Sequence, residues 1–138
     1  MEKTLIESGV IPALHRDEEE RTGTCACIIH NKERTLCANI AASTKYPVEH
    51  LDKNMKYLKA AEFIYATAFF LTSNTHALHE ISKFCAENKK IFIFNLGAGF
   101  LIETAFDDIM KCIEHSDYVF CNEHEADAFA KKLDLKGD

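Results

Sequence analysis

The sequence predicts an α/β fold in which helices cover a parallel sheet. Three observations carry this reading. From residue 63 onward, apolar runs and amphipathic stretches alternate in the order strand, helix, strand, helix, strand, helix. The strand runs, 63–71, 91–96 and 118–120, are continuously apolar rather than alternating, as in strands buried on both faces. The stretches between them are long enough for the right-handed helical crossovers that join parallel strands.

The elements follow in order. "MEKTLIESGV" suits the last turns of a helix, and "HRDEEER" (15–21) is a charged, exposed connection. "TGTCACIIHNKERTLCANIAA" predicts a β-hairpin with arms at 24–29 and 35–40 and a polar turn at 30–33, longer than the two-residue minimum. "PVEHLDKNMKYLKAAE" places Val48, Leu51, Met55 and Leu58 at helical spacing. "FIYATAFFL" (63–71) is β-branched and aromatic-rich, a buried strand. A helix follows, with Thr72, Ser73, Asn74 and Thr75 as candidate N-caps and an apolar stripe of Ala77, Leu78, Ile81, Phe84 and Cys85. "IFIFNL" (91–96) is a second strand and "GAGF" a turn. "LIETAFDDIMKCIEHS" (101–116) is one helix, "YVF" a third short strand and "EHEADAFAKKLDL" (123–135) a last helix. The organisation expected is a partial helix and connection over 1–21, a hairpin over 22–43 and an α/β part over 44–138.

At 138 residues and 47% hydrophobic content, the chain has one domain's worth of core. A net charge of −6 disfavours nucleic acid as a partner. No apolar run nears the ~20 residues that cross a bilayer, so no membrane role is expected. The N-terminus lacks a basic-then-apolar leader, which makes a cytoplasmic location the default. The six cysteines (25, 27, 37, 85, 112 and 121) are irregularly spaced and read as buried free thiols. Cys25-x-Cys27 is one residue too close for a zinc knuckle.

Ligands of open α/β sheets bind beyond the carboxyl ends of the strands. Two of the three ends carry an asparagine, Asn95 and Asn122, at equivalent places in successive units. Either one alone is also an ordinary turn former or cap. Glu123 and Glu125 complement a helix dipole without any ligand. Residues three apart share a helix face, so Asn122 and Glu125 converge while Glu123 points elsewhere. A carboxylate there suits Mg²⁺ held through water beside phosphate. Gly97–Gly99 matches neither the dinucleotide nor the P-loop pattern and reads first as a tight turn. Phe69 and Phe70 end their strand, and one of them could reach its mouth and stack on a nucleobase. His76 and His79 read as surface residues, and His124 has no support as a base.

The segments "TGTCACIIHNKERTLCANIAAS" (22–43), "FIYATAFFLT" (63–72), "IFIFNLGAGF" (91–100) and "VFCNEHEADAFA" (119–130) resemble, in order, successive segments of adenosine kinases, members of the ribokinase-like sugar and nucleoside kinase family. The resemblance covers about residues 22–135 and implies a partial ribokinase-like (Rossmann-like) fold with a hairpin from the lid. It implies transfer of the ATP γ-phosphate to the 5′-hydroxyl of adenosine, with Mg²⁺ as cofactor, in purine salvage. Carried over residue by residue, Cys25, Leu36, Ile40 and Phe69 would contact adenosine. Asn95, Asn122 and Glu125 would organise ATP and Mg²⁺, Glu125 reaching the metal through water. The family's ribose-holding segment, anion hole and catalytic aspartate have no counterpart here. Phe100, after "GAG", cannot take a proton. The chain is therefore expected to hold no catalytic residue and to show negligible activity alone. "NLGAGF" also departs from the usual Asn-Leu-Ser-Ala-Pro-Phe, and its two added glycines are expected to loosen the turn. A monomeric, cytoplasmic or also nuclear enzyme is what the family implies. Another ribokinase-like sugar kinase, or a non-catalytic nucleoside- or protein-binding paralogue, are the alternatives. An adenine platform at Phe69 speaks against the first of these.

Overall fold

A computed structural model of the chain describes residues 2–135. The chain divides into two compact units, Met1–Tyr46 and Pro47–Asp138.

In the first unit, α1 (Glu2–Glu7) stops at Gly9, whose φ of 78° is the left-handed conformation that ends helices. The Val10 N–H then reaches back 2.9 Å to the Leu5 carbonyl. Strands β1 (Thr24–His30) and β2 (Glu33–Asn39) pair antiparallel from Thr24↔Asn39 to His30↔Glu33. The turn is therefore Asn31–Lys32 alone, shorter than the four residues expected. Both residues are left-handed (φ 48° and 68°), which matches the twist of two-residue hairpins. Asn tolerates that region better than most residues, so His30 and Glu33 are free to form the last rung. Gly23 closes the hairpin base: a Cβ there would lie 2.9 Å from the Ile40 carbonyl oxygen. Both strands are exposed along their length, and Cys25, Cys27 and Cys37 with them. The expectation of buried thiols fails for these three and for Cys121, and holds for Cys85 and Cys112. Burial pushes Cys85 up to about 11 and Cys112 up to about 12, so both remain thiols and fill space.

In the second unit, Pro47 precedes α2 (Val48–Ala60), and β3 (Phe63–Thr67) leads through a 3₁₀ turn (Ala68–Phe70) into α3 (Leu71–Glu87). Then come β4 (Ile91–Asn95), α4 (Gly99–Thr104), α5 (Phe106–Ile113), β5 (Tyr118–Phe120) and α6 (Glu123–Lys132). The three strands are parallel in the order β3-β4-β5.

Three local expectations change. The strand expected over 63–71 ends at Thr67. Ala68 and Leu71 are drawn into the core by the turn and helix instead of extending the sheet. Within α3, Asn74 leaves the helical region (φ −162°, ψ 99°) and its side chain accepts the Ala77 N–H at 2.9 Å. Of the four candidate caps, Asn74 is thus the one that caps, while the Thr72 and Thr75 hydroxyls donate to the Phe69 and Leu71 carbonyls. The helix expected over 101–116 breaks at Ala105 (φ −132°, ψ 32°). Just before the break, the Thr104 hydroxyl donates to the Phe100 carbonyl at 2.8 Å, a back-bond of the kind that bends helices.

The core lies on one face of the sheet. Phe92 and Phe94 of β4 are fully buried, with Ile64 and Ala66 beside them, against Leu78, Cys85, Ile102, Ile109 and Cys112 from the helices. The pairing register puts Phe63, Tyr65, Tyr118 and Phe120 on the opposite face, where each is 55–61% exposed. Among the described residues, then, the strands are not buried on both sides as their apolar runs suggested. Phe94→Ala is expected to lower unfolding free energy by about 3–5 kcal/mol through lost transfer and cavity formation. Phe63→Ser, on the open face, is expected to change it by less than ~0.5 kcal/mol. Urea unfolding of both variants checks the contrast.

Candidate functional site at the strand ends

The sheet register sets three positions side by side: Thr67 pairs with Asn95, and Asn95 with Phe120. One more backbone bond, from Leu96 N–H to the Phe120 carbonyl (3.0 Å), carries the ladder past the strand ends. The other end of β5 is clamped by Asp117. Its N–H donates to the Phe92 carbonyl (2.9 Å), and its Oδ2 accepts the Phe92 N–H (2.8 Å). A strand of three residues has few ladder bonds of its own, so this two-point clamp helps fix its register. The clamp thereby sets the level at which Asn122 emerges, two residues after the partner of Asn95.

Asn122 and Glu125 meet, as their three-residue spacing requires. The Asn122 Oδ1 accepts the Glu125 N–H at 2.9 Å, and the Asn122 N–H donates to Glu125 Oε2 at 3.2 Å. Together these form a capping box at the start of α6. A third bond, from Asn122 Nδ2 to Glu125 Oε1 (2.8 Å), engages the other carboxylate oxygen. Glu125 is 7% exposed, a buried carboxylate with both oxygens bonded. Glu123 and His124 are exposed. His124 borders a groove of about 380 Å³ between α4 and α6, with Glu103, Asp127 and Lys131.

The two phenylalanines after β3 separate cleanly. Phe70 packs against the core, whereas Phe69 is 45% exposed in the 3₁₀ turn beyond the strand. Phe100 meets the Phe69 ring edge-on, with centroids 6.0 Å apart. Asn95 is half-buried at its strand end. In the hairpin unit, Cys25 and Leu36 share one face, because Leu36 pairs with Cys27. Ile40, 51% exposed, follows β2. His79 is half-buried rather than fully on the surface: its Nε2 is shielded and lies 3.4 Å from Asp108 Oδ1 of α5, without a hydrogen bond.

Among the described residues no three His, Cys, Asp or Glu side chains gather into a metal cluster. The oxygen donors at the strand ends, Asn95, Asn122 and Glu125, are of the hard type that suits Mg²⁺. The burial and double engagement of Glu125 fit contact through water rather than direct ligation.

Reading by sequence missed Asp117, whose backbone N–H and carboxylate both bond the backbone of Phe92 and which no residue pattern signals.

The pfkB family carbohydrate kinase pattern matches residues 1–137. The chain belongs to the pfkB family of carbohydrate kinases. Adenosine kinase 1 of Arabidopsis thaliana is 38% identical over 133 residues, 95% of the chain and 39% of that protein. The adenosine kinase of Dictyostelium discoideum is 35% identical over 139 residues, 99% of the chain and 41% of the relative. The crystal structure of Anopheles gambiae adenosine kinase in complex with P1,P4-di(adenosine-5) tetraphosphate superposes with a TM-score of 0.91. It is 33% identical, over 96% of this chain and 42% of that one. Adenosine kinase from Schistosoma mansoni in complex with 2-fluoroadenosine gives a TM-score of 0.83 at 27% identity, over 88% of this chain and 36% of that one. The chain thus spans about two fifths of the length of these relatives. Its parallel sheet and helices are the mixed α/β arrangement of those kinases, as the sequence led one to expect.

Asn122→Ala is expected to cost about 1–2 kcal/mol through loss of the cap. Asn122→Asp keeps the acceptor for the Glu125 N–H but sets a carboxylate against Glu125 Oε1. That contact sets two like charges together and removes the Nδ2 donor, so Asn122→Asp is also expected to melt below the unaltered chain at pH 7. Thermal melts of both variants between pH 3 and pH 7 read the difference.

Proposed function

We propose that the protein containing these residues is an adenosine kinase, transferring the γ-phosphate of ATP to the 5′-hydroxyl of adenosine to give AMP and ADP. The observation that carries this is the similarity to adenosine kinases at 33–38% identity across at least 95% of the chain, with a TM-score of 0.91. The Anopheles and Schistosoma relatives were each solved with an adenosine-containing ligand, which fits a nucleoside acceptor.

In this reading each element at the strand ends has a task. Phe69 offers its exposed face to the adenine. In the hairpin unit, Cys25, Leu36 and Ile40 are assigned to the nucleoside by the likeness to adenosine kinases alone. Asn95 donates from its amide to phosphate oxygens. The Asn122–Glu125 unit orients the water shell of Mg²⁺, and the metal when bound neutralises charge on the transferring phosphates. Both Glu125 oxygens are already held by Asn122, so its carboxylate is preorganised before any ligand arrives. These residues bind and orient, and none is placed to take the proton of the acceptor hydroxyl. The 138-residue chain alone is therefore proposed to be inactive.

Phosphoryl transfer relies on positioning and electrostatic stabilisation, and this chain supplies only part of both. In an assay coupled to AMP formation, the 138-residue chain is expected to show no turnover above background. Robust activity would overturn the assignment of catalysis to residues outside it. The pfkB match to carbohydrate kinases favours a sugar acceptor as the second reading. In a full-length protein carrying this segment, Phe69→Ala is expected to raise the KM for adenosine about tenfold and leave that for ATP near its original value. Equal effects on both, or faster phosphorylation of a free sugar than of adenosine, would exclude base stacking at Phe69. A cytoplasmic, monomeric enzyme completes the proposal. Sedimentation of the full-length protein and imaging of a fluorescent fusion test those two points.

A further inference from the structure

Three of the exposed thiols, Cys25, Cys27 and Cys37, lie in the hairpin unit, and its pairing register sorts them. Every residue of β1 pairs with one of β2. Side chains of a strand alternate between faces, and directly paired residues share a face. Cys25 and Cys27 are therefore on one face, with Ala38 and Leu36 opposite them. Cys37 pairs with Ala26 and is on the other face, which His30 shares. The face of Cys25 and Cys27 thus carries two thiols, the apolar Ile29, Leu36 and Ala38, and Arg34, the partner of Ile29. Among the described residues no third His, Cys, Asp or Glu gathers with them. Both strands are exposed along their length, so the pair is open to solvent. The Cys25 thiol donates a long bond of 3.8 Å to the Ala26 carbonyl, which is given up at little cost.

We propose that Cys25 and Cys27 form a two-coordinate site for a soft, monovalent cation, with Cu(I) as its representative. Soft thiolates select such ions, and a face without carboxylates offers hard cations little. Geometry decides against the two other uses of a thiol pair. Alternate residues of a strand lie about 6.7 Å apart. A disulfide needs its Cβ atoms within about 4.5 Å, so it would buckle a strand that is paired at every position. Structural zinc needs four ligands, and only two side chains are offered on this face. Two metal–sulfur bonds of about 2.3 Å in line span about 4.6 Å, which two thiols leaning toward each other reach with the strand unchanged. On binding, each S–H loses its proton to solvent and each sulfur gives one electron pair to the metal, whose oxidation state does not change. The bis-thiolate of a monovalent ion carries one negative charge, and Arg34 is the charged residue on its face. The site stands independently of the adenosine reading.

The test titrates the 138-residue chain, reduced and free of oxygen, with Cu(I) held by bicinchoninate, a coloured competitor. One Cu(I) per chain is expected to leave the competitor and to show two sulfur neighbours by X-ray absorption. Cys25→Ser and Cys27→Ser are each expected to weaken binding about a hundredfold, because either change turns a chelate into a single contact. Cys37→Ser and Cys121→Ser are expected to change it by less than about twofold. Alkylation of the unaltered chain needs no variant and keeps the test valid should one misfold. Cu(I) is expected to protect Cys25 and Cys27 together from iodoacetamide and to leave Cys37 and Cys121 reactive, as read by mass spectrometry. Undiminished affinity in Cys25→Ser or Cys27→Ser, or protection of Cys37 or Cys121, overturns the site. So does dimerisation in step with added Cu(I), seen by sedimentation, which would mean one thiol from each of two chains. Adenosine plays no part in this titration, so loss of the metal site would leave the adenosine kinase reading as it stands.

Discussion

The site depends on the parallel pairing of β4 with both of its neighbours. β4 contributes the buried rings of Phe92 and Phe94 to the core and, one residue later, Asn95 to the strand-end lip. The pairs Thr67↔Asn95 and Asn95↔Phe120 bring three chain segments to one level. Everything that follows, the turn carrying Phe69, the turn at Gly97 and the cap at Asn122, is hung from those pairs. A strand slipped by one residue would reverse the faces of its side chains, exposing what is now buried. Burial of Phe92 and Phe94 therefore enforces the register that the site requires. Asp117 reinforces it where β5 is too short to do so alone.

The strand-end residues serve packing and ligand geometry at once. Asn122 caps α6, and in doing so holds both oxygens of the buried Glu125. A capping box needs no ligand to explain it. It does, however, leave a carboxylate fixed at the mouth of a parallel sheet, which is what a phosphate–Mg²⁺ site would exploit.

Most of the element order was legible from periodicity. The hairpin, the three strands and the helices between them fall where apolar runs and stripes place them, and the Asn122–Glu125 convergence follows from helical spacing alone. What was not legible has physical reasons. Continuous apolar runs suggest burial on two faces, yet Phe63, Tyr65, Tyr118 and Phe120 line an open face, because hydrophobicity reports what a surface tolerates, not what covers it. The end of β3 was overrun by four residues, since Ala68 and Phe70 are as apolar as a strand but are used by a turn and the core. The two-residue turn at Asn31–Lys32 was hidden because lysine is not a usual left-handed residue. Gly23 and Asp117 act through distances to backbone atoms that no pattern of residue types encodes.

The central claim is that pairing across β4 holds the strand-end lip in place before any ligand binds. Amide hydrogen exchange of the 138-residue chain, resolved residue by residue by NMR, tests it most directly. The Leu96 N–H, bonded to the Phe120 carbonyl, and the Phe92 N–H, bonded to Asp117, should exchange as slowly as the Phe94 N–H in the middle of the strand. A Leu96 N–H that exchanges at the rate of an open loop, while Phe94 stays protected, would mean that the ladder stops short of the site and would contradict the claim.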